Sequence, residues 1–324
     1  MSEFLTIGEP MAVLASQDVN KDLADVGHFS RFLAGAELNV AIGIRRLGHS
    51  ASYVSAVGSD PFGQFILDSI RSSGIDATHI NIDSNYWTGF YLKQRVAQGD
   101  PQTYYYRKNS AAANYDKANL VNIDLSKTVI THITGILAAL SPQALAATHT
   151  LIDNVEKVGG IITFDPNLRP ALWKSEAEMI STTNALAKHG TVIMPGIHEG
   201  KILMGSDDPE EIADFYLDQS SITQTVVVKL GPDGAYVKQR NQTPFTVSGF
   251  RVKEVVDTVG AGDGFAVGII SALLEGKTMH EAVVRACAIG ALAVESCGDN
   301  DGYPTSNELK RFYQEQDEQI GEGI

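Results

Sequence analysis

Short apolar segments rich in β-branched residues alternate along the chain with longer segments of helical periodicity. Strands are predicted at 4–7, 51–57, 128–134, 161–164, 191–194 and 225–229. Helices are predicted over 36–47, after the N-cap pair Asp60-Pro61, and from Ser141-Pro142 onward. This alternation is typical of a mostly parallel sheet covered by helices on both faces. We therefore expect an α/β fold whose ligands bind beyond the carboxyl ends of the strands.

One region departs from the alternation. Segments 87–96 and 103–107 are both rich in aromatic and β-branched residues, and the turn sequence Gln98-Gly99-Asp100-Pro101 separates them, which predicts a β-hairpin. A hairpin inserted into an α/β domain can close over a substrate as a lid. Its aromatic face could instead be buried against another subunit. A lid that also forms a dimer satisfies both interpretations, and we expect a homodimer.

Composition narrows the class of protein. The 324 residues are 44% hydrophobic and carry a formal net charge of −14, which argues against nucleic acid or an anionic membrane as a partner. The cysteines, Cys287 and Cys297, have no metal-ligand spacing, and their scarcity fits a reducing compartment. The segment Met1-Ser2-Glu3-Phe4 lacks the features of a signal peptide. We therefore expect a cytoplasmic protein.

The most informative segment is Asp257-Thr258-Val259-Gly260-Ala261-Gly262-Asp263-Gly264-Phe265. It follows a predicted strand, 250–256, and opens a small-residue, apolar helix over 265–274. A Gly-rich turn at a helix N-terminus presents free N–H groups and the positive end of the helix dipole, which together form an anion site. Asp263 lies beside those donors, whose field should keep it ionised. The pairing of an anion site with a proton acceptor indicates chemistry on a phosphate.

Other glycine motifs fit this segment less well. A dinucleotide site needs Gly-x-Gly-x-x-Gly, usually in the first βα unit, whereas here the spacing is Gly260-x-Gly262-x-Gly264 late in the chain. A Walker-type loop has one near match, which ends in Gly276-Lys277-Thr278, but Ser271 stands where its first glycine belongs. A merely structural tight turn remains an alternative, although it does not account for Asp263.

The nine-residue segment resembles the carboxyl-terminal signature of the ribokinase-like, or PfkB-type, carbohydrate kinases. The segment 34–41, Ala-Gly-Ala-Glu-Leu-Asn-Val-Ala, is similar to that family's glycine-rich substrate segment. The resemblance implies a single ribokinase-like domain over 1–324, with a small β lid formed by segments 10–33 and 86–110. It implies ATP-dependent phosphorylation of a sugar alcohol with Mg²⁺, with Asp263 as the base. The backbone amides of Gly260, Ala261 and Gly262 would form the anion hole.

The resemblance also assigns nucleotide and metal contacts. The turn after the strand 225–229 would lie along the nucleotide, and the adenine pocket would involve a later small-residue helix. The implied ATP contacts are Lys229, Gly231, Gly234, Gly260, Gly262, Ala288 and Gly290. The family usually shows Asn-x-x-Glu at 196–199, linked to magnesium through water. Here Glu199 matches but Gly196 replaces the asparagine, so the resemblance assigns only an indirect metal contact to Glu199. It leaves the use of a monovalent cation open.

Two arginines bear on the substrate. Arg107 ends the second hairpin strand, and Arg169 follows the strand 161–164 at its ligand-binding end. A guanidinium group binds a carboxylate through two hydrogen bonds. Alternatively, Arg107 could be a solvated strand end and Arg169 a structural ion-pair partner. If Arg107 points inward, strand alternation sets Tyr105 inward and Tyr106 outward.

Within the family, Ala36-Glu37-Leu38-Asn39, Tyr105-Tyr106-Arg107 and Asp165-Pro166-Asn167-Leu168-Arg169 resemble the enzymes that phosphorylate 2-keto-3-deoxygluconate. The resemblance implies a sugar-acid site built from Gly35, Asn39, Tyr91, Tyr105, Arg107, Arg169 and Asp263. The implied reaction converts the sugar acid to its 6-phosphate.

Several alternatives remain open at the level of sequence. The same chemistry could act on fructose, ribose or another keto-sugar acid. A catalytically silent sugar- or nucleotide-binding regulator belongs to a different class, and the intact Asp263 argues against it because a binding protein needs no base there. An NAD-dependent oxidoreductase is a further alternative, which would bind nicotinamide and consume no ATP.

Overall fold

A computed structural model describes residues 2–99, 101–296 and 298–321, with Cys297 and the turn residue Asp100 outside the described residues. Its strands are β1 (Phe4–Ile7), β2 (Met11–Val19), β3 (Phe29–Ala34), β4 (Ala51–Gly58), β5 (Ile80–Asp83), β6 (Phe90–Arg95), β7 (Thr103–Tyr106), β8 (Ile130–Thr134), β9 (Ile161–Asp165), β10 (Val192–Ile193), β11 (Thr225–Lys229), β12 (Ala235–Gln239) and β13 (Phe245–Val247). Its α-helices are α1 (Ala36–Arg46), α2 (Pro61–Ser72), α3 (Gly135–Leu140), α4 (Pro142–Lys157), α5 (Glu176–Ala187), α6 (Ile197–Met204), α7 (Pro209–Gln219), α8 (Ala261–Leu274), α9 (Met279–Val294) and α10 (Ser306–Gly321).

The strands form two sheets in this part of the chain. The larger has the order β13-β12-β11-β10-β9-β8-β1-β4-β5 and is parallel except for the antiparallel additions β12 and β13. The predicted mostly parallel sheet is therefore confirmed, and its six predicted strands match β1, β4, β8, β9, β10 and β11. Because these strands are parallel, their carboxyl ends meet at one edge of the sheet.

Each face of the larger sheet has its own hydrophobic core. Successive strand side chains point to opposite faces, so Phe4 packs with α1, α2, α8 and α9 while the adjacent Leu5 packs with α4 to α7. Helices therefore cover both faces, as predicted. No helix in the described residues is long and apolar enough to cross a membrane.

The smaller sheet has the order β3-β2-β6-β7. Strands β6 and β7 form the predicted antiparallel hairpin, with Tyr91 opposite Tyr105. The parallel pairing of β2 with β6 joins the hairpin to the β2–β3 ribbon. This sheet thus draws on residues 11–34 and 90–106, which lie close to the segments expected to form a lid. Whether it moves as a lid stays a prediction.

The predicted strand over 250–256 is wrong. The segment does not pair with β13, and Val256 N instead donates to Val294 O at the end of α9, at 2.8 Å. Val255 and Val256 are 59% and 45% exposed, so the apolar alternation here does not mark a sheet interior. The Gly-rich turn therefore joins an irregular segment, rather than a strand, to α8.

Helix caps follow the sequence signals closely. The Asp60 carboxylate accepts from Phe62 N and Gly63 N at 3.0 and 2.8 Å, with Pro61 at the first position of α2. The Ser141 hydroxyl caps α4 by accepting from Ala144 N at 3.0 Å. Helix α1 ends at Arg46, before the left-handed Gly48.

The contact between α8 and α9 depends on a missing side chain. A Cβ atom at Gly268 would lie 2.3 Å from the Ala286 Cα atom and 2.4 Å from its nitrogen. We expect Gly268→Ala to lower the free energy of unfolding by about 1–3 kcal/mol, because overpacking must push the two helices apart. Urea denaturation would measure the change. The matched control is Gly27→Ala, where an added Cβ meets no atom within 4 Å; equal stability of the two variants would contradict this account of the helix contact.

Candidate active site

A cavity of about 390 Å³ lies at the carboxyl-end edge of the larger sheet, under the smaller sheet. It brings together most of the predicted site residues, namely Gly35, Asn39, Tyr91, Tyr105, Arg107, Arg169, Glu199, Lys229, Gly260, Gly262 and Asp263. Strand β9, the β11 terminus and the starts of α1 and α8 therefore converge at one place. The predicted residues Ala261, Gly231, Gly234, Ala288 and Gly290 do not line this cavity.

The start of α8 forms the floor of the cavity. Gly260 precedes the helix at φ +81°, and a Cβ atom there would lie 1.8 Å from Asp299 O, so the position excludes any side chain. The Tyr303 hydroxyl donates to Gly260 O at 2.6 Å and fixes this turn. Ala261 N donates to Thr258 O at 3.3 Å, so this amide already has a partner. Of the three residues predicted to form the anion hole, Gly260 and Gly262 line the cavity and Ala261 does not.

Asp263 lies in the first turn of α8 and is 9% exposed. Its carboxylate accepts from two amides, Asn39 Nδ2 on Oδ2 at 2.9 Å and Asn167 Nδ2 on Oδ1 at 3.2 Å. Each oxygen is thus held by a different element, α1 on one side and the loop after β9 on the other. The two donors fix the orientation of the carboxyl group.

The expected ionisation of Asp263 needs correction. Burial raises the pKa of its carboxyl group to about 7, and the nearby Asp165 carboxylate adds to the rise, while the Asn39 amide and Arg169 oppose it. The carboxyl group is therefore only partly ionised at neutral pH, contrary to the expectation from the sequence. Burial is the largest cause of the shift, and it brings the pKa to the range that suits a general base.

Asn39 has a second contact. It was expected to contact substrate, yet its amide donates to Asp263 and its Oδ1 accepts from Asn300 Nδ2 at 2.9 Å. Sequence analysis missed Asn300 and the role of Asn167. Asn167 could have been found, because it follows a predicted strand at the end where ligands bind. Nothing in the local sequence around Asn300 points to this contact.

Strand alternation across the hairpin is confirmed. Tyr105 and Arg107 line the cavity, whereas Tyr106 stacks on Phe90, with ring centroids 4.8 Å apart, on the other face. The rings of Tyr91 and Tyr105 lie 5.0 Å apart. The small sheet thus presents two tyrosines to the cavity.

The two arginines differ in their partners. The Arg107 guanidinium is buried and bound to Glu9, with Nε and Nη2 each 2.6 Å from Oε2. The Ser110 hydroxyl donates to the other oxygen of Glu9. Arg107 was expected to be free for a substrate carboxylate, but the buried Glu9 carboxylate, which sequence analysis missed, already neutralises it.

Arg169 is the more available cation. It is exposed, and its Nη1 donates to Leu168 O at 2.9 Å. Among the residues that the structure describes it forms no ion pair with a carboxylate. The alternative of a solvated Arg107 and an ion-paired Arg169 is therefore wrong for both, since Arg107 forms the ion pair and Arg169 is exposed.

A second buried carboxylate, Glu37, lies beside this pair and was also missed. It is 1% exposed, and its Oε1 accepts a hydrogen bond from the Thr134 hydroxyl, which also caps α3. Burial raises the pKa of Glu37. A Cβ atom at Gly8 would lie 2.3 Å from Glu37 Oε2, so the absence of a side chain at residue 8 makes room for it.

Lys229 ends β11 and donates to Asp165 Oδ2 at 2.6 Å. Burial by itself would lower the pKa of its ammonium group, but the carboxylates of Asp165 and Glu199 outweigh burial and raise it. Lys229 therefore stays charged at neutral pH. A Cβ atom at Gly262 would lie 3.9 Å from Lys229 Nζ, so this cation faces the start of α8.

The other predicted nucleotide contacts lie apart from the cavity. Gly231 and Gly234 form the turn between β11 and β12, and both have positive φ. Ala288 is fully buried in the core, while Gly290 faces Ala261 O across the helix contact. The adenine pocket stays a prediction.

Glu199, predicted to contact metal through water, accepts two backbone hydrogen bonds. Leu168 N donates to Oε1 at 2.8 Å and Gly196 N donates to Oε2 at 2.7 Å. Burial raises the pKa of Glu199, and Lys229 opposes the rise. The described residues contain no group of three or more histidines, cysteines or carboxylates arranged to hold a metal ion.

Comparisons with known proteins agree with this geometry. A 2-dehydro-3-deoxygluconokinase of Bacillus subtilis (strain 168) is 44% identical over 310 residues, covering 95% of this chain and 94% of that protein. A second 2-dehydro-3-deoxygluconokinase, from Thermoproteus tenax, is 32% identical over 315 residues, covering 96% and 94%. A candidate ribokinase II of E. coli, solved with ATP and Mg²⁺, superposes with a TM-score of 0.86 at 27% identity, covering 97% of this chain and 100% of that one.

The family pattern described as "pfkB family carbohydrate kinase" matches residues 1–306. The match includes the cavity, the Asp263 turn and both sheets. The chain therefore belongs to the pfkB family of carbohydrate kinases.

Proposed function

We propose that the protein transfers the γ-phosphoryl group of ATP to the terminal hydroxyl of 2-keto-3-deoxygluconate, forming the 6-phosphate and ADP. The observation that carries this proposal is the presence, in one cavity, of a held carboxylate at a helix N-terminus and a guanidinium with no carboxylate partner, Asp263 and Arg169. The first suits phosphoryl transfer to an alcohol, and the second suits a substrate that carries a carboxylate. The relatives named above support the same substrate.

Asp263 is the base in this proposal. As the C6 oxygen forms its bond to the γ-phosphorus, the hydroxyl proton passes to the Asp263 carboxylate and the bond to the ADP oxygen breaks. The hydrogen bonds from Asn39 and Asn167 orient the Asp263 carboxylate toward the hydroxyl. The amides of Gly260 and Gly262 and the charge of Lys229 stabilise the negative charge on the transferring group.

The sugar acid lies under the small sheet in this proposal. Its carboxylate pairs with Arg169, while the Arg107–Glu9 pair offers hydrogen bonds without net charge. Tyr91 and Tyr105 cover the sugar from the hairpin. Gly35, held at φ +140° with Glu9 O 2.8 Å from its missing Cβ, lets the backbone approach the substrate closely.

ATP enters as its magnesium complex, which is the usual substrate of phosphoryl transfer. Mg²⁺ keeps several waters and binds nucleotide phosphates, so it requires few protein ligands. The β11–β12 turn with Gly231 and Gly234 runs along the nucleotide, and Ala288 and Gly290 lie behind the adenine. A monovalent cation could assist at this site.

A dimer through the small sheet belongs to the same proposal. Phe32 and Tyr105 are about half exposed, at 52% and 55%. They share one face of the sheet, because both lie in register with the same row of side chains, through Val13 and Tyr91. Strands β3 and β7 are its outer strands. Aromatic side chains exposed together on one small sheet favour burial against a second copy, which would also steady the sheet over the sugar.

Replacing the base tests the reaction mechanism. We expect Asp263→Asn to lower kcat by about 10²–10⁴-fold, because the amide cannot accept the hydroxyl proton. In the unaltered protein kcat/KM should fall about tenfold for each pH unit below about 7, since only the carboxylate form of Asp263 reacts. A coupled ADP-release assay measures both effects, kcat with both substrates at saturation and kcat/KM with the sugar acid far below saturation.

Asp68→Asn is the matched control for that substitution, since Asp68 lies exposed on α2 and should leave turnover unchanged. Turnover by Asp263→Asn equal to that of the control would contradict the assignment of Asp263 as base. A pH profile that stays level down to about pH 5 would contradict the raised pKa.

Removing the free guanidinium tests the substrate. We expect Arg169→Ala to raise KM for 2-keto-3-deoxygluconate about 10- to 100-fold, because a charged hydrogen-bonded pair is lost, and to change KM for ATP little. Arg169→Lys keeps the charge but loses the paired hydrogen bonds, so its KM for the sugar acid should lie between that of Arg169→Ala and that of the unaltered protein. An Arg169→Ala enzyme with unaltered sugar-acid KM would overturn the assignment. Arg107→Ala is a poorer test, because it leaves Glu9 buried without its partner and costs about 3–5 kcal/mol of stability.

Placing a charge on the small sheet tests the dimer. We expect Phe32→Glu to convert a dimer to a monomer, because a carboxylate would be buried in the interface without a partner. Light scattering coupled to size-exclusion chromatography measures the mass. Val121→Glu, at an exposed apolar residue outside this sheet, is the matched control and should remain dimeric. A monomeric unaltered protein would refute this assembly.

A further inference from the structure

The loop after β9 contains a residue in the left-handed backbone conformation. Asn167 has φ +44°, in a region that asparagine adopts more readily than other residues with a side chain. The loop carries both Asn167, which binds the base, and Arg169. Its conformation therefore matters for catalysis and for recognition of the substrate.

Two carboxylates hold this loop. Asp165 Oδ1 accepts from Asn167 N at 3.1 Å, and Glu199 Oε1 accepts from Leu168 N at 2.8 Å. Asp165 belongs to β9 itself, whereas Glu199 comes from α6. Glu199 therefore links the loop to another element, α6. It accepts its hydrogen bond from Leu168, the residue between Asn167 and Arg169.

The other oxygen of Glu199 accepts a hydrogen bond from the start of its own helix, α6. Gly196 N donates to Oε2 at 2.7 Å, at the N-cap position of α6. Because both oxygens accept hydrogen bonds from backbone N–H groups, the carboxylate connects the start of α6 to the loop after β9. Each carboxylate oxygen thus has one backbone donor, and the two donors come from different elements.

We propose that Glu199 is a positioning residue for sugar-acid recognition: through Leu168 N it holds the loop that presents Arg169 to the substrate and Asn167 to Asp263. This inference rests on the proposed function, because it takes Arg169 as the carboxylate-binding group. It differs from a metal-linked role, which would connect Glu199 to the nucleotide side of the reaction.

A double-mutant cycle separates the two roles. The variants are Glu199→Ala, Arg169→Ala and the double variant, with Glu176→Ala, an exposed glutamate on α5, as the matched control. We expect Glu199→Ala to raise KM for 2-keto-3-deoxygluconate roughly tenfold, since it removes the hydrogen bond that orders the loop. In the Arg169→Ala background the same change should raise that KM less than twofold, because the group that it positions is gone. The Mg²⁺ concentration for half-maximal rate should stay within about twofold.

Amide hydrogen exchange gives a readout that does not depend on activity. In Glu199→Ala the Leu168 amide should exchange faster, by tenfold or more, with Gly196 affected as well. Glu199→Gln keeps one acceptor oxygen and should fall between Glu199→Ala and the unaltered protein. This second variant keeps the test decisive if Glu199→Ala folds poorly.

The possible outcomes distinguish a failure of the positioning role from a failure of the proposed function. Multiplicative effects of the two substitutions on KM, a raised Mg²⁺ requirement, or unchanged exchange at Leu168 would each overturn the positioning role while leaving the proposed function intact. Failure of the unaltered protein to phosphorylate the sugar acid would overturn both, and that measurement stands apart from every variant. Non-additive KM effects with faster Leu168 exchange support the proposal.

Discussion

The buried carboxyl group of Asp263 is the constraint on which the active-site architecture depends. It lies at the start of α8, yet its two hydrogen-bond donors come from residues 224 and 96 positions away, Asn39 and Asn167. Holding it requires α1, the loop after β9 and α8 to meet at one edge of the parallel sheet. Burial raises its pKa to about 7, and the same burial makes it an effective proton acceptor near neutral pH. Any shift of those three elements would change both the orientation and the pKa of the proposed base.

Among the described residues, two of the three cations that line the cavity are held in ion pairs. Arg107 is neutralised by Glu9, and Lys229 is bound to Asp165 with Glu199 nearby. In the proposed reaction a protein with a formal net charge of −14 binds two anionic substrates, so the cation that remains available has a large effect on selectivity. Arg169 is that available cation. Its position depends in turn on the loop after β9, which Asp165 and Glu199 hold through hydrogen bonds from Asn167 N and Leu168 N.

Sequence predicted what local patterns encode. The strands, the caps at Asp60 and Ser141, the hairpin and its alternation at Tyr105 and Arg107 all follow from spacing and residue type. Partners separated by many residues could not be predicted in this way, and Glu9 on Arg107 lies 98 positions from it. The wrong strand over 250–256 has the same cause, because its alternating pattern lies along the end of α9 instead of a sheet edge. The ionisation of Asp263 was misjudged because burial depends on the tertiary packing around α8.

The most direct test of the account compares substrates for the unaltered protein. With ATP and Mg²⁺ at fixed concentrations, kcat/KM would be measured for 2-keto-3-deoxygluconate, fructose and ribose, with the phosphorylated product of each identified. The account predicts a preference for the sugar acid of about 100-fold or more, since neutral sugars leave Arg169 without a carboxylate partner. Equal or better use of fructose or ribose would contradict it.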